Sequence, residues 1–192
     1  MRIVIVRHGQ TEWSRAMRHT GRTDIPLDAT GRRQAERLRT RLAEHTFAHV
    51  MVSPLARAME TCRIAGFGGV AEVCPDLQEW DYGKLEGMTA AEIRKTSPGW
   101  SIWDNGALGG ESIEEVAMRA DRVVASLRAA NGDVLVIAHA HLLRVLAARW
   151  IGCEPVGGRY LVLSPAAISI LGHEREDPAI LRWNDPGEVK LG

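Results

Sequence analysis

Ile3-Val4-Ile5-Val6 ends abruptly at Arg7-His8-Gly9. Four apolar residues with no polar alternation are the pattern of a β-strand covered on both faces, which implies a parallel sheet held between helices. Working outward, Val50 to Val52 is a second short strand, Val70 to Cys74 a third apolar patch, and Val134 to Ala138 the strongest buried strand. Ala167 to Leu171 and Ile180 to Trp183 read as the last two strands. Helical spacing separates these runs. Ala35, Leu38 and Leu42 place a helix from Gly31 to about Glu44 with Thr30 as N-cap, and Ser53-Pro54 supplies a cap and a first-turn proline for the next. Ser112 with Glu115 forms a capping box for a long amphipathic helix through Leu127 that stops near Asn131-Gly132, and Leu142 to Trp150 is a further helix. The predicted class is α/β, a three-layer α/β/α sandwich with a mostly parallel sheet, residues 1–192 forming a single domain. Residues 76–110, rich in Trp, Gly and acids, with a short helix at about Thr89 to Thr96, read as a short cap insertion.

The chain has 192 residues, 45% of them apolar, enough for one sizeable core and incompatible with a disordered or collagen-like chain. No run approaches the ~18 consecutive apolar residues of a membrane span, and Ile3 to Val6 is too short for a signal-peptide core, so a cytoplasmic location is expected. Cys62, Cys74 and Cys153 sit in apolar or helical contexts and read as reduced, buried thiols. The formal charge of zero conceals a skew: residues 1–41 carry ten arginines against four acids, and residues 72–121 eleven acids against four bases. With no basic stripe interleaved with aromatics, nucleic-acid binding is not expected.

In open α/β sheets ligands bind beyond the carboxyl ends of the strands. Arg7 and His8 follow the first strand, Ser53-Pro54 and then Arg57 the second, and His139 the strongest. Two arginines and two histidines at one sheet edge suit a phosphate group: guanidinium forks bind it bidentately, a helix N-terminus adds oriented amides, and a neutral imidazole can attack phosphorus. Gly9 is expected to let the backbone approach the bound group.

Arg7-His8-Gly9-Gln10-Thr11 resembles the signature of the histidine phosphatase superfamily, whose fold is phosphoglycerate mutase-like. Further segments are similar in order: Arg18-His19-Thr20-Gly21, Pro26 to Gly31, Ser53 to Ala58 with Thr61, Leu77 to Gly87, Gly109 to Ser112, and Ile137-Ala138-His139-Ala140. The resemblance implies that His8 is the nucleophile, that Arg7, Arg57 and His139 hold the phosphoryl oxygens, and that Glu79 is the general acid and then base. It adds Thr11, Thr20, Gly21, Tyr82 and Ala140 as phosphate or substrate contacts, and implies no metal and no cofactor. The implied activity is hydrolysis of small phosphorylated metabolites, of the acid-phosphatase type, with an optimum on the acid side of neutral because His8 must be neutral while Glu79 is protonated. Ala140 replaces the family's usual glycine.

A phosphoglycerate mutase-type transfer is the first alternative; against it, Ala90 stands where mutases carry lysine and residues 88–118 hold no Arg-Arg pair. A non-catalytic phospho-ligand-binding protein would have no use for both His8 and Glu79. His139-Ala140-His141 is readable as a His-x-His metal pair, since alternate residues of a strand share a face. Trp80, Trp100 and Trp103 either line the leaving-group pocket or pack cap onto core. Trp150-Ile151 and Tyr160 to Leu163 are either core or the edge of a homodimer.

Overall fold

Strand β1 (Ile3–Arg7) pairs in parallel with Val134–Ala138, Ile3 opposite Val134 and Arg7 opposite Ala138. The computed structural model, which describes residues 1–187, builds around this pair a six-stranded sheet of order β3-β2-β4-β1-β5-β6. Its other strands are β2 (His49–Val52), β3 (Glu72–Val73), β4 (Val134–Ala138), β5 (Ile168–Glu174) and β6 (Asp177–Asp185). Residues 188–192 of the expected 1–192 domain lie outside the described residues. The first four positions of the sheet are parallel, whereas β5 runs antiparallel to both β1 and β6. Two residues, Arg175 and Glu176, separate β5 from β6, too few for a parallel crossover.

The alternation of side chains along β1 builds both layers. Ile3 and Ile5 join Val134, Val136 and Ala138 in one apolar cluster, against helices α6 (Ile113–Ala129) and α7 (Ala140–Trp150). Val4 and Val6 join Leu135 and Ile137 in the other, against α2 (Ala29–Leu42) and α3 (Ala56–Ile64). Burying each such side chain contributes about 1.5–3 kcal/mol. Short helices α1 (Glu12–Arg15), α4 (Ala90–Thr96) and α5 (Ile102–Asn105) complete the α-helices of the described residues.

Several expectations are corrected. Asp28, not Thr30, caps α2, its Oδ1 accepting from the Gly31 amide at 2.8 Å. Ser53 caps nothing: α3 starts at Ala56, whose amide donates to Asp24 at 2.8 Å, and the Ser53 side chain turns to His139 instead. The Val70 patch yields only the two-residue β3. Residues 76–110 are less an attachment than part of the core, since Leu77, Trp80, Tyr82, Ile93, Trp100 and Ile102 share the α6–α7 cluster. Trp80 and Trp100 pack there with their indole N–H groups on the Glu111 and Gly106 carbonyls. Trp150 and Leu163 are core, while Tyr160 and Val162 stay exposed. Cys62 is buried as expected but Cys153 is exposed.

Candidate active site

The register places the site. β1 and β4 end level, Arg7 opposite Ala138, so the next residues, His8 and His139, emerge side by side with ring centroids 5.1 Å apart. β2 ends opposite Ile137 and delivers Ser53 beside them. These ends open on a cavity of about 310 Å³ lined by Arg7, His8, Glu79, Tyr82, His141 and Arg144, with Thr20 and Ala140 among the remaining wall residues.

His8 is buried, and its Nδ1 lies 2.7 Å from the Gly9 carbonyl. A carbonyl only accepts, so Nδ1 carries the proton and Nε2 of the neutral ring carries the lone pair. Burial first, and then Arg57 and Arg7, hold this imidazole well below its ordinary range, which keeps the lone pair free in acid. Gly9 does not make room for a ligand. A Cβ there would stand 2.5 Å from the Gly31 carbonyl, so the glycine lets the strand end approach the start of α2.

Arg7 donates through Nη1 to the Leu163 carbonyl at 2.7 Å, and burial pulls its guanidinium down to about 10 although Glu79 pushes back. Arg57 is fully buried in the first turn of α3. Its Nη1 donates to Thr23 and its Nη2 to the Thr20 and Gly21 carbonyls at 2.8–3.1 Å. His139, the residue before α7, shares a 2.7 Å hydrogen bond between Nε2 and Ser53 Oγ. Burial holds it, too, well below the imidazole range. Among the described residues, the buried side-chain N and O atoms without a hydrogen-bond partner are Arg7 Nε, Arg57 Nε and His139 Nδ1. Leaving such a donor unmet costs about 1–3 kcal/mol, and here three of them gather at one sheet edge.

Glu79 is fixed from the other side. Its Oε1 accepts from the Trp80 and Leu142 amides, both at 2.9 Å, and its Oε2 from the His141 amide at 3.1 Å. The carboxyl group thus sits on the N-terminal turn of α7, fixed in place by amides that the helix leaves without an internal acceptor.

The weaker candidates divide. Thr20, Tyr82 and Ala140 line the cavity. Thr11 is fully buried as the N-cap of α1, its Oγ1 accepting from the Ser14 amide, and Gly21 acts through its carbonyl on Arg57. The His-x-His reading fails on geometry: the strand ends at Ala138, so the alternation rule does not reach His141, whose Nδ1 bonds Tyr82 Oη at 2.6 Å while His139 faces Ser53. Among the described residues no three His, Cys, Asp or Glu side chains form a group able to hold a metal ion. Trp103 stacks edge-on against Trp80 and under Arg144, outside the cavity wall. The sequence marks Ser53 only as a cap, His19 only as part of the Arg18 to Gly21 segment and His141 only as half of a metal pair, and it does not mark Arg144. The last stands one helical turn beyond Ala140, which is the only signal it offers.

A family model described as histidine phosphatase superfamily (branch 1) matches residues 3–186. An acid phosphatase of Mycobacterium tuberculosis is 39% identical over 177 residues, spanning 90% of this chain and 87% of the relative. A solved structure of an open reading frame from the same organism superposes with a TM-score of 0.91 at 37% identity, covering 97% of this chain and 98% of that one. A mycobacterial glucosyl-3-phosphoglycerate phosphatase solved with VO3 gives a TM-score of 0.86 at 29% identity over 96% and 98%.

Proposed function

The chain belongs to branch 1 of the histidine phosphatase superfamily, and from that premise we propose that it hydrolyses small phosphate monoesters through a phosphohistidine on His8 Nε2. His8 Nε2 attacks phosphorus and the P–O bond to the leaving group breaks, its electron pair going to the oxygen, which Glu79 protonates. Arg7, Arg57 and His139 Nδ1 hold the three equatorial oxygens, the two guanidinium groups supplying the positive charge that a loose, charge-spread transition state needs. The imidazolium that forms keeps its Nδ1 proton, which it donates in a hydrogen bond to the Gly9 carbonyl. Glu79, now a carboxylate, takes a proton from water; the water oxygen attacks phosphorus, the P–N bond breaks, and orthophosphate leaves with His8 neutral again.

The observation that carries this reading is the gathering of the three unpartnered buried donors around a histidine whose lone pair is on Nε2. Similarity to an acid phosphatase supports it. Among the described residues no helix is long and apolar enough to cross a membrane, and the three cysteines are free, which supports the cytoplasm as the proposed location.

The test is a rapid-quench trap with radiolabelled p-nitrophenyl phosphate. Label on the denatured protein should be acid-labile and base-stable, and absent from His8→Ala. Acid-stable, base-labile label would mean a serine ester and would overturn the assignment.

A further inference from the structure

Arg144 stands on α7, one turn beyond the amides that hold Glu79, and lines the same cavity. Its Nε donates to the Gly158 carbonyl and its Nη2 to the Arg159 carbonyl, both at 2.9 Å, and the guanidinium lies 4.7 Å from the centre of the Trp103 ring. Two carbonyls and a π face fix its plane, and its charge meets the Glu79 carboxylate only at longer range than an ion pair. Nη1 donates to no acceptor among the described residues.

The other arginines make the contrast. Of those that are not exposed, Arg22, Arg41, Arg119, Arg149 and Arg159 each form an ion pair with an aspartate or glutamate. Arg7, Arg57 and Arg144 form none among the described residues. The first two are the guanidinium groups proposed for the transferring phosphate, whose two negative charges they match. Arg144 is a further cation, on the cavity wall with Arg7 while Arg57 lies behind it, and a leaving group without charge would give it nothing to bind. Arg18, also on the wall, is already tied to the Gly87 carbonyl and to Glu92 at 3.5 Å.

We infer that Arg144 binds a second anionic group, a carboxylate or a further phosphate, on the leaving group, so that the preferred substrates are phosphate esters charged at both ends. The inference rests on the reading of His8 as the phosphate-accepting group. Planarity and fixed orientation, with Nη1 left to donate, suit either anion better than a hydroxyl.

The experiment compares kcat/KM for propyl phosphate, 3-(phosphonooxy)propanoate and propane-1,3-diyl bisphosphate, with p-nitrophenyl phosphate as reference, in wild type, Arg144→Gln and Arg144→Lys. Wild type should favour a charged ester over propyl phosphate by about tenfold to a hundredfold, the range expected for a charge-assisted contact. Which charged ester leads identifies the anion. Arg144→Gln should erase the preference and Arg144→Lys retain part of it. Equal kcat/KM for charged and uncharged esters, or a preference that survives in Arg144→Gln, overturns the inference. Because Arg144 also tethers Gly158 and Arg159, the glutamine variant may not be used if it fails to fold; the wild-type preference must then shrink with added NaCl, and indifference to salt overturns the inference. Failure to release phosphate from any ester, p-nitrophenyl phosphate included, would sink the phosphatase reading instead.

Discussion

Ser53 Oγ and His139 Nε2 lie 2.7 Å apart, both fully buried, at the ends of neighbouring parallel strands. The buried imidazole is neutral, and where the Ser53 hydroxyl is the donor to Nε2 the ring proton sits on Nδ1, the atom with no partner in the protein. With that tautomer, Ser53 would act as a positioning residue that makes His139 a donor to the phosphoryl oxygen proposed above. Ser53→Ala should lower kcat about tenfold, with KM changing less, and should alter the pH dependence of kcat, because the tautomer is no longer fixed. Steady-state kinetics from pH 4.5 to 8 check this. A loss of folded protein with kcat and its pH profile intact would mark the contact as structural only.

Glu79 is anchored by three amides, two of them from α7, and lines the same cavity as His8. Glu79→Gln keeps the shape and removes the transferable proton. Turnover of alkyl phosphates, whose leaving oxygens need that proton, should fall about a hundredfold or more, and turnover of p-nitrophenyl phosphate much less. The dependence of rate on leaving-group pKa should steepen accordingly. Uniform losses across a series of aryl and alkyl esters would deny Glu79 the role of acid.

Much of this site was legible because its chemistry rides on strand ends. Ile3 to Val6 and Val134 to Ala138 are unbroken apolar runs, and the residue that follows each is fixed by the register once the strands pair in parallel. Arg57 followed from the same logic one turn further on. What stayed hidden depends on contacts between distant segments. Ser53 in Ser53-Pro54 looks like a cap because nothing local reports that His139, 86 residues on, will claim its hydroxyl. Arg144 looks like an ordinary helix residue until Gly158 and Arg159 fold back onto it. The skew of charge resolved in the same way: Arg22 meets Asp81 and Glu111, Arg18 meets Glu92, and Glu86 accepts from the Arg22 and Thr23 amides. Acids and arginines separated in sequence thus hold the segment after α1 against the cap.

Gly9 and Gly31 approach so closely that neither tolerates a side chain: a Cβ on Gly9 would sit 2.5 Å from the Gly31 carbonyl, and one on Gly31 2.1 Å from that of Gln10. Both obstacles are backbone, which cannot swing aside. Gly9→Ala should cost about 1–3 kcal/mol of stability, seen as a lower urea midpoint at unchanged m-value. It should also lower kcat, since the Gly9 carbonyl fixes the His8 tautomer. A variant as stable and active as wild type would show that α2 can move away from the strand end.

Stability should decline with acidification before the carboxylates titrate. His8, His139 and His141 are each held well below the ordinary imidazole range, burial being the first cause in every case. In the unfolded chain they take up protons near pH 6.5, so the full contribution of their burial is present above that pH. As pH falls through it towards the lower folded-state values, the unfolded chain binds up to three protons that the folded one does not, and His19, also lowered by burial, adds to them. The loss approaches about 1.4 kcal/mol per pH unit for each histidine. The carboxylates held low by ion pairs, such as Asp76 with Arg122 and Asp104 with Arg159, add their loss only at more acid pH, through the ordinary carboxylate range and below. Urea unfolding at half-unit steps from pH 7.5 to 5.0 should therefore show a slope of about 4 kcal/mol per unit at its steepest. Saturating orthophosphate should reduce it, because a dianion beside His8 and His139 favours their protonated forms and binds the folded state alone. A flat profile across this window would mean that the three rings are hydrated in solution, and a slope unmoved by phosphate would separate them from the anion site.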